Sequence, residues 1–181
     1  QKSAATTPAR AEAGKSIKSV MGNNYEEKTK KALRWILGIL EKHKSPYLIT
    51  GGFAAKLYGA TRELADIDLE IPHDKFQEII EEVRLYIFLG PERFQDKNWD
   101  LVYAKLEYEG QKIDVCDGDS QKIVDDQTGE VVVDGIDFSR PVQKEVFGMT
   151  VDVIPRETLI RYKSALRRDV DKIDIEQMQR R

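Results

Sequence analysis

The chain has 181 residues, 40% of them hydrophobic and 34% charged, with a formal net charge of −3. That length supports one well-formed core, and the slightly acidic balance gives no global electrostatic case for nucleic acid; only a local basic patch could supply one. A single cysteine, Cys116, excludes an intramolecular disulfide, and with no secretion signal read in the chain a reducing, cytoplasmic setting is expected. His43 and His73 with one cysteine cannot build a histidine-rich zinc site, and the longest apolar run, WILGIL at 35–40, is too short to cross a bilayer, so no membrane partner is expected.

Residues 1–20 are rich in Ala, Thr, Ser and Lys and hold almost no large apolar side chains, so 1–22 is expected to be a flexible tail ahead of one domain over 23–181, with Met21 a natural start. GKS at 14–16 is not a phosphate loop: Ala9 stands where the first glycine is required, and no strand precedes it. From 25 to 44 the pattern is helical, with Ala32, Trp35, Ile36, Ile39 and Leu40 on one face and Ser45-Pro46 as the stop. YLIT (47–50) reads as a strand, and Gly51-Gly52 turns the chain into a short helix, FAAKLYG, ended by Gly59. ADIDLEIP (65–72) alternates as a strand does. Asp74 is expected to cap the next helix, whose apolar face includes Phe76, Ile79, Ile80 and Val83. Residues 90–100 read as a loop, 101–117 as a hairpin turning at Glu109-Gly110, EVVV as a short strand, and KEVFGMTVDVI as a hairpin turning near Gly148. Helices over about 156–167 and 169–179 close the chain. The expected fold is α/β (α+β), a mixed β-sheet flanked by helices with further helices at the C-terminal end.

Strand side chains alternate faces, so Asp66, Asp68 and Glu70 share one face while Ile67, Leu69 and Ile71 share the other. The second strand of the 101–117 hairpin repeats the pattern, with Ile113 and Val115 pointing one way and Asp114 the other. If the two strands are neighbours, Asp114 lies beside Asp66 and Asp68. Carboxylates that close repel unless a cation sits between them, and magnesium suits an all-oxygen donor set that leaves room for phosphates. For an isolated D-x-D the simpler reading is a solvated sheet face. Gly51-Gly52 shifts that weighting, because a glycine pair between a strand and a helix can offer unblocked backbone N–H groups to a phosphate.

The glycine pair, ADIDL (65–69) and KIDVC (112–116) together resemble the DNA polymerase beta-like nucleotidyltransferase superfamily. Within it the chain is most similar to the small bacterial branch of lincosamide- and aminoglycoside-modifying enzymes and abortive-infection-type toxins. Arg62 ahead of Asp66, a hairpin followed by a helix carrying Lys163, and a closing R-x-x-D-x-x-D-I-E pattern through Arg168, Asp171, Asp174, Ile175 and Glu176 extend the likeness over roughly 47–178, with Met178 where Leu is usual. The resemblance implies the nucleotidyltransferase fold and transfer of a nucleoside monophosphate from a nucleoside triphosphate such as ATP to an acceptor hydroxyl. It implies two Mg2+ ions held by Asp66, Asp68 and Asp114, with Asp114 also helping to deprotonate the acceptor, and a triphosphate contacted by Gly51 and Gly52.

Lys163 interrupts an apolar helical stripe. It either snorkels to water or reaches the triphosphate, and the resemblance favours the second. Arg62 either binds phosphate or pairs with Asp66 or a neighbouring carboxylate as a structural brace. Arg168, Asp171 and Asp174 read as a structural polar network. The acceptor is a small molecule or an RNA; an RNA would need a basic surface, for which Arg156, Arg161, Lys163, Arg167 and Arg168 are the candidates. The rival reading is a non-catalytic protein of the same fold that binds nucleotide or a partner protein.

Overall fold

The computed structural model describes residues 9–180, with side chains described from residue 26 onward. Helix α1 spans Ala9–Lys42, so the tail expected over 1–22 lies partly outside the described residues and is helical in its backbone from Ala9. Of the expected stripe of α1, Ala32, Ile36 and Leu40 are buried and Trp35 and Ile39 lie at the margin of the core, with Leu33 buried beside them. Strand β1 (Leu48–Ile49), helix α2 (Gly51–Leu57), strand β2 (Asp66–Ile71) and helix α3 (His73–Val83) follow. After a 3-10 turn come β3 (Ile87–Gln95), β4 (Trp99–Tyr108), β5 (Gln111–Asp117), β6 (Lys122–Val124), β7 (Val131–Asp134), β8 (Val142–Val146) and β9 (Met149–Val153). Helices α4 (Arg156–Leu166) and α5 (Asp169–Gln179) close the chain.

The strands form one mixed sheet in the order β7-β6-β4-β5-β2-β1-β9-β8, with β3 on the other edge of β4. The β2–β5 and β1–β9 pairs are parallel and the rest antiparallel. Both expected hairpins form. Glu109 and Gly110 take φ of +47° and +77° at one turn, and Phe147 and Gly148 take +53° and +73° at the other. Two left-handed residues in a two-residue loop match the twist of the flanking strands.

Three expectations are corrected. Residues 90–95 are not loop but the outer half of β3, paired with β4 from Glu92↔Tyr103 to Gln95↔Asp100. The strand escapes a pattern search because it is an edge: most of its side chains are exposed, its register slips twice, and Pro91, which donates no hydrogen bond, is tolerated there. Asp74 does not cap α3. The cap is Pro72, and the His73 N–H at the helix start donates to the Asp119 carboxylate at 2.7 Å instead. Helix α2 begins at Gly51, inside the glycine pair.

Ile67, Leu69 and Ile71 of β2 and Ile113 and Val115 of β5 are fully buried, and with the apolar faces of α1 and α3 they make the centre of one continuous core. The opposite face of the same strands carries the carboxylates. Among the described residues no helix is long and apolar enough to cross a membrane.

Candidate active site

Parallel pairing of β2 with β5 sets Ile67 against Ile113 and Asp68 directly against Asp114. One strand face therefore goes to the core and the other gathers acids. Asp66, Asp68 and Asp114 each present a carboxylate oxygen, and these oxygens lie within 4.8 Å of one another. The crowding has an electrostatic cost. Burial first, and then the charges of Asp66 and Asp114, push the Asp68 pKa up to about 7. Burial also raises Asp114, opposed by a hydrogen bond from Lys105. Hard oxygen donors that repel one another at this spacing fit a divalent cation such as magnesium.

The glycine pair is locked against this cluster. Gly51 has φ of +59°, and a Cβ there would stand 1.8 Å from Asp68 Oδ2; one on Gly52 would stand 2.2 Å from an Arg62 guanidinium nitrogen. At Gly51 only glycine combines that backbone with so close an approach. Both amides proposed as the phosphate seat already have acceptors: Gly51 N–H donates to the Tyr162 hydroxyl at 2.8 Å and Gly52 N–H to Asp68 Oδ2 at 3.2 Å.

The basic residues are also partnered. Arg62 does not reach Asp66; its Nε donates to both oxygens of Asp174 at 2.9 and 3.1 Å. Lys163 is fully buried, and its ammonium donates to Asp171 and Asp174 at 2.9 Å each, so it lines the cleft without offering it a free charge. Arg168 completes the group by pairing with Asp171 at 2.7 Å, the polar network expected for these residues. Burial works to raise the Asp171 pKa, but hydrogen bonds from Arg168 and Lys163 overcome it and hold the carboxyl low. Three cations and two carboxylates leave this buttress with a formal charge of +1, next to the glycine loop.

The cleft has a volume of 490 Å³, within the size range of small-molecule sites. Several of its residues gave no motif. Glu70, Thr50 and Gln121 form its buried polar floor; the Gln121 amide, turned to donate, reaches both Glu70 oxygens at 2.8 and 3.0 Å. Burial first, then the charge of Asp68, pushes the Glu70 pKa up to about 8. Phe94, Trp99 and Tyr103 supply an aromatic wall from β3 and β4. Lys105 could have been found, because a two-residue turn at 109–110 fixes its pairing with Asp114. Tyr162, on a buried helix face, carried no signal.

A family model of aminoglycoside-2''-adenylyltransferases matches residues 32–178. A search of curated proteins by sequence finds no match. Solved structures share the fold at low identity. A candidate nucleotidyltransferase from Thermotoga maritima superposes with a TM-score of 0.62 at 19% identity, covering 83% of this chain and 89% of that one. The lincosamide antibiotic adenylyltransferase LnuA, bound to lincomycin, gives 0.56 at 17%, covering 82% and 95%. ANT(2'')-Ia in complex with adenylyl-2''-tobramycin gives 0.52 at 17%, covering 83% and 87%. With the family model spanning the sheet, the carboxylates and both closing helices, the chain belongs to the aminoglycoside-2''-adenylyltransferase family and is a nucleotidyltransferase.

Proposed function

We propose that the protein transfers a nucleoside monophosphate, AMP from ATP in the first instance, to a hydroxyl of a small-molecule acceptor and releases pyrophosphate in a magnesium-dependent reaction. The observation that carries this reading is the set of three carboxylate oxygens within 4.8 Å, facing a glycine loop across one cleft. Asp66, Asp68 and Asp114 would hold two Mg2+ ions, which when bound supply charge neutralisation at the reacting phosphate and acidify a nearby hydroxyl. Asp114 receives the proton of the acceptor hydroxyl. Gly51 and Gly52 exchange Tyr162 and Asp68 for phosphate oxygens as the acceptors of their N–H groups. The +1 buttress of Arg62, Lys163, Arg168, Asp171 and Asp174 offsets charge on the leaving pyrophosphate, with Lys163 acting through that group and not as a lone contact.

A small acceptor is favoured over RNA by the cleft volume and by the fate of the basic helix residues. Arg156 donates to the Met178 carbonyl, Arg161 to the Val132 carbonyl, Arg167 to Asp125 and Arg168 to Asp171, while Lys163 is buried. They hold the fold together and leave no free basic stripe among themselves for a phosphate backbone. Tobramycin and lincomycin, named with the structural relatives, are the first acceptors to test. Incubation with each α-labelled nucleoside triphosphate, magnesium and either antibiotic should move label to the antibiotic and release pyrophosphate. Asp66→Asn and Asp68→Asn should each lower transfer at least about a hundredfold while circular dichroism shows an intact fold. Undiminished transfer by both folded variants overturns the mechanism, and nucleotide binding without pyrophosphate release in the wild type points to the non-catalytic rival.

A further inference from the structure

Strand β4 brings a lysine to the carboxylate face. The turn at Glu109-Gly110 pairs Tyr108 with Gln111, which sets Lys105 directly opposite Asp114 on the same side of the sheet. The Lys105 ammonium donates to Asp114 Oδ2. Among the described residues it is the one cation in ion-pair contact with any of Asp66, Asp68 and Asp114. Its side chain is 31% exposed and lines the cleft, so it can move. A second position lies close by: the ammonium is 5.5 Å from the centre of the Tyr103 ring, two residues back on the same strand face, where a cation is attracted to the aromatic surface.

We infer that Lys105 is a counter-cation built into the triad: it neutralises Asp114 in the metal-free protein, yields that oxygen to an incoming divalent ion, and thereby sets how weakly the metal is held before nucleotide arrives. The inference rests on the reading of the triad as a metal site. Its physical basis is competition. A divalent ion at Asp114 and the lysine ammonium need the same lone pairs, and the displaced ammonium, still in the cleft, repels the ion that replaced it. The arrangement also explains how three crowded carboxylates are tolerated in the folded chain, since the lysine relieves part of their repulsion.

Mn2+ without nucleotide is the probe, with free ion counted by electron paramagnetic resonance in titrations of the whole chain. Lys105→Gln should bind Mn2+ about tenfold more tightly than wild type, or about 1.4 kcal/mol. In EDTA its thermal midpoint should fall below the wild type's, and saturating Mn2+ should close the gap. Lys105→Arg, which keeps the charge, should hold Mn2+ within about twofold of wild type, so charge is separated from side-chain packing even if Lys105→Gln folds poorly in chelator. Unchanged or weaker Mn2+ binding by Lys105→Gln overturns the inference and leaves the metal site standing. A wild type that binds no Mn2+, or binds it equally well after Asp68→Asn, overturns both.

Discussion

Asp68 meets three demands at once: it accepts the Gly52 N–H, shares a face with Asp66 and Asp114, and fills the space a Cβ on Gly51 would need. Gly51→Ala combines a left-handed backbone with a clash against a buried carboxylate. It should cost about 1–3 kcal/mol in urea unfolding and should displace Asp68, lowering transfer as well. Gly52→Ala meets the end of the Arg62 side chain, which can shift, so its loss should be smaller. Asp68→Asn removes one of the crowded charges. In EDTA its thermal midpoint should rise by a few degrees, about 2–4 °C per kcal/mol for a chain of this size, while transfer is abolished, the usual opposition between stability and a strained site. An unchanged or lower midpoint would show that the Gly52 hydrogen bond outweighs the repulsion. At this scale the sequence was informative about identity and silent about contacts: the aspartates and glycines were legible from alternation and spacing, whereas Tyr162 on the Gly51 amide joins residues 111 apart in the chain.

Between elements, the turn that ends α1 is tied to α3 by His43, whose two ring nitrogens face Glu82 and Glu78. Hydrogen bonds first to Glu82 and then to Glu78 raise the His43 pKa above its usual 6.5. A histidine whose folded pKa is raised contributes stability that is fully present below its unfolded value and is lost as pH rises through the folded value. The free energy of unfolding should therefore decline as pH rises from about 6.5 into the neutral to mildly alkaline range. His43→Gln should remove that part of the slope; parallel pH profiles for the two proteins would assign it to other groups. The same helix pair shows why β3 was missed while α1 was not. Helix α1 shows its apolar period over 32–40 because Ala32, Ile36 and Leu40 bury one face there, and β3 has no such constraint because its outer edge and most of its side chains meet solvent.

For the whole molecule, the buttress of Arg62, Lys163, Arg168, Asp171 and Asp174 joins α4, α5 and the loop after α2 behind the glycine pair. Lys163→Met would keep the shape but take from two buried carboxylates their shared cation. The expected cost is about 3–5 kcal/mol in denaturant, with a raised KM for nucleotide because the loop it supports would loosen. Unfolding unchanged within about 0.5 kcal/mol would mean that Arg62 and Arg168 alone balance the two acids. Removal of one partner from a buried charge group is severe for a reason a single residue does not reveal: the penalty comes from the charge left behind.

By itself the sequence determined the strands and helices that carry a clear period, though not β3, β6 or the first part of α1, and also that Asp66 and Asp68 turn away from the core and that Asp114 does the same on a second strand, because alternation and turn chemistry are local. The tertiary structure alone decided that β2 and β5 run side by side in the register that sets Asp68 against Asp114, and that Lys163 is spent on Asp171 and Asp174 before any phosphate can claim it. Those outcomes depend on which charges share a low-dielectric space, and that sharing is settled only when distant strands and helices pack.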